Sequence, residues 1–257
     1  MTMEWWWFRP ARRRRSSTSP TSGKRLRRSS RRNWRLSSAR RASTIHSTKT
    51  LGNSLKRRRA SSLTDRRIEM ARLPLASRDT TPAGQEAAFD EITQNGSAVP
   101  PYGPGSVMTH VPEASKHATA LNQYLRNHAS LPMKAAELAM LVAAREMDCQ
   151  HIWNAHAASA RDAGVPAAVV DAIRDKKPLP ELAPDESAVI NLGREILRNH
   201  QVSRGGYQSA LEIFGQQGTI ELTLVLGNYT MLAMVINTFE TDLPPNRTDP
   251  LLQRIPG

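Results

Sequence analysis

The sequence has little cysteine and few aromatic residues. Cys149 is the only cysteine among 257 residues, and aromatic residues make up 5% of the chain. A single cysteine excludes an intrachain disulfide framework and a cysteine-rich zinc site. No apolar run approaches the roughly 18 residues that a transmembrane helix needs. These absences predict a protein that does not enter the membrane and is most simply cytoplasmic.

Acidic residues are scarce in the first 69 positions. This segment holds 21 of the 36 Lys and Arg residues but only three of the 23 acidic ones, namely Glu4, Asp65 and Glu69. The remaining 188 residues therefore carry 15 basic and 20 acidic residues. The overall net charge of +13 describes the first segment, so it does not assign nucleic-acid binding to the rest of the chain.

Residues 1–69 are predicted to be a disordered basic N-terminal tail. Arg- and Ser-rich runs such as ARRRRSS lack apolar periodicity, and they could not bury enough surface to offset their chain entropy. Three interpretations stay open: an organelle transit peptide, an arm in non-specific contact with a polyanion such as nucleic acid, and translated sequence upstream of a start at Met70. The folded domain is predicted to span residues 70–257.

The folded region is predicted to be all-α, because no segment shows sustained strand alternation. Ser130 and Ser203 are predicted N-caps, and the proline- and glycine-rich segment 99–113 is predicted to be a fixed loop. Apolar spacing and helix-start residues predict helices beginning near Pro82 and spanning 112–128, 131–146, 149–163, 166–174, 185–199, 203–214 and 219–239.

Residues 146–165, EMDCQHIWNAHAASARDAGV, concentrate groups that can carry chemistry. Cys149, Trp153 and His156 lie at i, i+4 and i+7, on one face of a helix. Asp148 is a predicted N-cap, which would place Cys149 in a first turn whose N–H groups stabilise a thiolate. A lone cysteine in a helical protein is also commonly a small buried hydrophobe. His151 and His156 are five residues apart, a poor spacing for metal ligands, so no metal site is predicted.

The pattern formed by Glu137, Cys149, His151 and His156 resembles that of the carboxymuconolactone decarboxylase family, which includes the alkylhydroperoxidase D proteins. The shared pattern is E-x11-C-x-H-x4-H followed by AASARDAGV, and similar flanking segments cover nearly all of residues 70–245. The resemblance implies an all-helical alkylhydroperoxidase D-like domain that assembles as a homo-oligomer, either a trimer or a hexamer, with its site on a helical pair.

The peroxidase branch of that family implies a thiol relay. The resemblance makes Glu137 the relay acid, Cys149 the first cysteine, His151 the intervening histidine and His156 the histidine near the cysteine pair. Ile152 stands where that branch has its second cysteine, so no intrachain disulfide can close. A one-cysteine peroxidase that oxidises Cys149 to a sulfenic acid and is reduced by an external thiol stays open.

The decarboxylase branch implies a different use of the same residues. That branch removes a carboxylate next to an unsaturated lactone without a cofactor and does not need a cysteine pair. His156 would be the general acid/base, Glu137 would orient it, and His151 would help to bind an anionic substrate. On an unbroken helix Glu137 would lie roughly 18 Å from Cys149, so joint chemistry requires the chain to turn back near residues 145–148, REMD, or another subunit to supply the partner.

The favoured prediction is cofactor-independent decarboxylation of a small lactone-type carboxylic acid in aromatic-compound catabolism. The alternatives are the one-cysteine peroxidase and a non-catalytic helical binding scaffold. Milder expectations concern His110 as a pocket-mouth residue, Trp153 as a core or pocket wall, and Tyr229 and Asn228 as helix residues that need hydrogen-bond partners if buried.

Overall fold

The computed structural model describes residues 71–246 and 249–253, and all regular structure within these ranges is helical. The predicted tail at residues 1–69 lies outside the described residues. A short 3-10 turn spans Arg78–Thr80. The α-helices are α1 (Glu86–Thr93), α2 (Gly103–Met108), α3 (Pro112–Asn127), α4 (Met133–Glu146), α5 (Gln150–Asp162), α6 (Ala167–Arg174), α7 (Pro184–Arg194) and α8 (Arg204–Phe239), and a π-helical turn, Glu195–Asn199, extends α7.

Helix α4 is the centre of the fold and packs against α5, α7 and α8. All eleven residues from Ala135 to Arg145 are buried, which agrees with a segment that is apolar around most of its circumference. Two charged residues, Glu137 and Arg145, are therefore enclosed on α4. A buried charge requires a partner, and the partner of Glu137 defines the site described below.

Helix α8 consists of two helical segments that meet at Gly215, whose φ of 67° and ψ of −178° are not helical. Its first turn is capped by Ser203, whose Oγ accepts a hydrogen bond from the Gly206 N–H at 3.0 Å, so that predicted N-cap is confirmed. The sequence expectation that no segment could span a membrane needs a correction, because α8 is long and apolar enough by composition alone. Most of that apolar stretch is buried, which is typical of a core helix.

Two sequence predictions about local structure are wrong. The segment 99–113 contains helix α2 and the start of α3, because Pro104 and Pro112 each stand in a first helical turn, where the absent N–H costs nothing. Ser130 does not cap α4, which begins after Pro132. Ser130 instead bonds the Glu221 carboxylate through its N–H and its Oγ, at 2.7 and 2.6 Å.

Candidate active site

The turn between α4 and α5 reverses the chain after Glu146. Asp148 adopts a left-handed conformation with a φ of 47°. Its N–H donates to the carbonyl of Arg145, and the Cys149 N–H donates to the carbonyl of Ala144 at 2.8 Å. These two bonds form a Schellman motif, which ends α4 and starts α5 without an intervening loop. The predicted break is confirmed, but the N-cap of α5 is Cys149, because Asp148 belongs to the end of α4.

The reversal brings Glu137 of α4 against His156 of α5. The His156 Nδ1–H donates to Glu137 Oε2 at 2.7 Å, and both side chains are buried. Burial alone would raise the pKa of Glu137, but the charge and hydrogen bond of His156, with a further contribution from Arg126, hold that pKa below its usual value. Glu137 is therefore ionised at neutral pH, and it orients the imidazole ring and balances positive charge on it.

Tyr229 of α8 forms the other support of the histidine. Its ring meets the His156 ring edge to face, with centroids 5.1 Å apart and an interplanar angle of 86°. The Tyr229 hydroxyl accepts a hydrogen bond from Arg126 Nη1 at 3.3 Å. Burial raises the pKa of Tyr229 to about 12, so the phenol stays neutral. Three helices, α4, α5 and α8, thus hold the imidazole of His156.

A pocket of about 250 Å³ opens beside His156. Its wall combines apolar surface from prolines with a few polar groups, which is the usual composition of a small-molecule site. The lining residues are Pro100, Tyr102, Pro104, Arg126, His151, Asn154, Ala155, His156, Ser159, Pro244 and Asn246. Glu137 does not line this pocket, and its connection to the pocket is the hydrogen bond with His156.

His151 lines the same pocket, and Gly103 fixes its place. A Cβ at Gly103 would lie 2.3 Å from His151 Nε2, and Gly103 has a φ of 69°. Both the close contact and the backbone conformation therefore require glycine at this position. Burial, and then the charge of His156, lower the pKa of His151 to about 4. At neutral pH His151 is therefore uncharged, and it can offer an anion a hydrogen bond but no positive charge.

Cys149 lies apart from the pocket lining. It is fully buried and belongs to the hydrophobic core. The expectation that the helix start would stabilise its thiolate is wrong in sign. Burial raises the pKa of the thiol to about 11, although the backbone N–H groups of Ile152 and His151 act in the opposite direction. The thiol is therefore protonated at neutral pH.

The remaining predicted residues lie outside the pocket wall. Trp153 is a fully buried core residue. The His110 Nε2 lies 3.0 Å from the carbonyl of Pro74 on the surface. Asn228 donates to the side-chain oxygen of Asn122 at 3.1 Å inside the fold. Within the described ranges, no group of three or more His, Cys, Asp or Glu side chains is arranged to hold a metal ion.

Arg126, Tyr102, Asn154 and Ser159 line the pocket and were not identified from the sequence. Asn154 and Ser159 lie on α5 within residues 146–165, so the sequence already places them close to the histidines. Arg126 offered no such signal, because it is one of 15 basic residues in the folded region and ends a different helix. Its role becomes visible only when α3 is placed against α8.

Residues 112–191 match the model of the carboxymuconolactone decarboxylase family. The matched range contains Glu137, Cys149, His151 and His156, the four residues on which the resemblance was based. The predicted resemblance is therefore confirmed over this range. No curated protein matches the chain.

Two crystal structures are similar in fold. One comes from Ralstonia eutropha JMP134 and is described as an alkylhydroperoxidase AhpD core and an uncharacterized peroxidase-related protein. It has a TM-score of 0.53 and 14% identity, and the match covers 68% of this chain and 93% of that one. The other, a protein of unknown function from Agrobacterium tumefaciens assigned to AhpD-type antioxidant defence, has a TM-score of 0.49 and 16% identity over 53% and 94% of the two chains. The first likeness shows an AhpD-like helical fold.

Proposed function

We propose that the protein is a cofactor-independent decarboxylase acting on a small lactone-type carboxylic acid. The observation that supports this proposal is the buried hydrogen bond between Glu137 and His156, with His156 on the wall of a pocket that also holds Arg126. A histidine paired to an ionised carboxylate is a general acid/base, and an arginine in the same pocket suits an anionic substrate.

The proposed reaction breaks one carbon–carbon bond and forms one carbon–hydrogen bond. The substrate carboxylate leaves as CO2, and the electron pair of the broken bond moves into the conjugated lactone carbonyl. Because Nδ1 of His156 is engaged by Glu137, the protonated ring delivers its proton from Nε2 to the resulting carbanion. Solvent then returns a proton to the ring, so one proton is consumed for each CO2 released.

The position of Cys149 favours this reaction over a thiol peroxidase. A peroxidatic cysteine needs thiolate character and access to peroxide. Cys149 is fully buried, its pKa is raised to about 11, and it does not line the pocket. His156 satisfies the corresponding requirements for proton transfer, because it meets both the pocket and a carboxylate.

The test is CO2 release from a five-membered unsaturated lactone that carries a carboxylate on the ring. We expect His156→Gln to lower kcat by about 10²-fold or more, as is typical for loss of a general acid. Glu137→Gln should lower kcat less, because an amide oxygen can still accept the Nδ1–H bond but carries no charge. Cys149→Ser and Cys149→Ala are the matched controls on the same helix, and both should retain turnover.

Loss of lactone turnover in both cysteine variants would contradict the proposal. The same variants are to be assayed with an organic hydroperoxide and an external thiol, since peroxidase activity that disappears in Cys149→Ser would support the one-cysteine alternative. If the wild-type protein shows neither activity but binds lactone acids, the non-catalytic scaffold is the better description.

A further inference from the structure

Arg126 occupies an unusual electrostatic position in the pocket. It stands in the last turn of α3 and lines the pocket together with His151 and His156. Arg161 and Arg174, each also in the last turn of a helix, are ion-paired with Asp249 at 2.7 Å and Asp175 at 2.8 Å. Between residues 71–246 and 249–253, by contrast, no carboxylate forms an ion pair with Arg126.

The surroundings of Arg126 leave its charge available to a ligand. Its one hydrogen bond in the described structure is donated to the Tyr229 hydroxyl, a neutral acceptor. Glu137 is near enough for Arg126 to lower its pKa, but that carboxylate is committed to His156. A guanidinium carries five N–H donors in a planar fork that matches a carboxylate. A partly buried guanidinium without a carboxylate partner is stabilised by an anionic ligand.

We infer that Arg126 binds an anionic group of the substrate and that Tyr229 positions its guanidinium, a role that rests on the proposed function of the same pocket. The bound group is one that the reaction retains. A guanidinium paired to the departing carboxylate would stabilise the ground state, whose charge is localised, more than the transition state, whose charge is spread into the lactone. Arg126 is thus a specificity-determining residue for an anion that remains on the product.

Tyr229 links this anion subsite to the proton-transfer site. Its hydroxyl accepts from Arg126 while its ring rests against His156, so one side chain sets the separation between the two functional groups. Tyr229 is buried and stays a neutral phenol, and it therefore positions Arg126 without neutralising it. Tyr229 is a positioning residue in this scheme and does not contact the reacting atoms.

The experiment measures binding without turnover. The probe is an unsaturated five-membered lactone with one carboxymethyl group and no ring carboxylate, compared with its carboxamide by isothermal titration calorimetry. Wild-type protein should bind the acid at least about tenfold more tightly than the amide. Arg126→Gln should weaken acid binding by about 10- to 100-fold and change amide binding less than about twofold. Tyr229→Phe, which keeps the ring, should weaken acid binding by about threefold.

Lys116→Gln is the control, because it removes one positive charge from the same helix at a partly exposed position paired with Glu91. Its acid affinity should equal that of the wild type, and circular dichroism melting should show that all variants fold. An acid-to-amide ratio that Arg126→Gln leaves unchanged overturns the inference, as does wild-type protein that binds neither probe. Arg126-dependent acid binding without any CO2 release would uphold the subsite and refute the proposed decarboxylation, so the two failures are distinguishable.

Discussion

Gly103 is the residue on which the position of His151 depends. Its φ of 69° favours glycine, and a Cβ there would collide with the His151 ring. We expect Gly103→Ala to lower the free energy of unfolding by about 1–3 kcal/mol and to reduce turnover, because the ring must move within the pocket wall. Urea denaturation measures the first effect and the lactone assay the second.

The control for that substitution is Gly205→Ala in the exposed first turn of α8. The nearest atom to a Cβ there is the Ser203 Oγ at 4.0 Å, so the space is open. Alanine in a helix is favoured over glycine by about 0.5–1 kcal/mol, and this variant should be neutral or slightly more stable. If the two substitutions change the free energy of unfolding equally, the close approach of Gly103 to His151 does not contribute to stability.

Cys149 supports a second prediction, on reactivity. Because its side chain is fully buried and its pKa is raised to about 11, the native protein should react with a disulfide reagent such as DTNB far more slowly than a free thiol at pH 7.5. The unfolded chain in guanidinium should release one equivalent of chromophore at once. Rapid labelling of the native protein would reopen the thiol peroxidase alternative.

The sequence pointed to the histidines of the candidate site and to Glu137 for identifiable reasons. Helical periodicity placed Cys149 and His156 on one face, and the resemblance paired Glu137 with His156 across a break that the structure contains. Periodicity does not report depth, however, so it could not show that core packing around Cys149 outweighs the helix terminus and raises its pKa. Arg126 could not be found either, because its place depends on how α3 packs against α8.

The two predicted serine caps had different outcomes. Ser203 caps α8 through its own first turn, which sequence alone reveals. Ser130 fits the same pattern, yet the carboxylate of Glu221, 91 residues away, takes both its N–H and its hydroxyl. Ser203 gives its N–H and hydroxyl to the Glu195 carboxylate in the same way and still caps α8. The difference is that α4 begins only after Pro132, so Ser130 lies outside its first turn.

Glu221 ties α8 to the end of α3 and gives a pH-dependent prediction. Burial raises its pKa, but hydrogen bonds from Gln217, Ser130 and Tyr124 act more strongly and lower that pKa to about 2. A carboxyl group with a lowered pKa stabilises the folded state above its ordinary value of 4.5, and this stabilisation is lost as the pH falls from about 4.5 to about 2.

We therefore expect Glu221→Gln to lower the free energy of unfolding by about 2 kcal/mol at pH 7 and to flatten the acid branch of the stability curve. Urea denaturation between pH 2.5 and pH 7, in steps of about half a unit, measures both effects. Glu212→Gln, on the exposed side of the same helix, is the control and should follow the wild-type curve. A Glu221→Gln curve parallel to the wild-type curve would contradict the stated cause.

The all-α fold class was predicted because most of the helices carry their own apolar periodicity, α2 being an exception. The helical structure and its likeness to the Ralstonia eutropha structure confirm that class. The predicted homo-oligomer stays a prediction, since assembly depends on surfaces that periodicity does not distinguish from core. The structure supplies the surface on which to test it. On α8 the buried face includes Leu222, Leu226 and Tyr229, while a second apolar row faces outward.

That outward row consists of Ile220, Leu224, Gly227, Met231 and Met234, at i, i+4, i+7, i+11 and i+14. This is the spacing of a coiled-coil seam, and residues 222–239 contain no charged side chain that would oppose pairing. Ile220 and Met234 are 53% and 55% exposed, which a second copy of the helix would cover. The expected contact is therefore between this row and the same row of α8 in other copies of the chain.

We expect the wild-type protein to have the mass of a trimer or hexamer in size-exclusion chromatography with light scattering, and the double substitution Leu224→Glu with Met231→Glu to lower that mass. Burying two carboxylates in an apolar seam costs several kcal/mol, which exceeds the free energy that such a helix contact contributes. Leu75→Glu alters an equally exposed apolar residue that is not part of the outward row of α8, and it should leave the mass unchanged. A wild-type monomer at micromolar concentration would refute the oligomer. An oligomer whose mass the double substitution leaves unchanged would show that the interface does not lie on this face of α8.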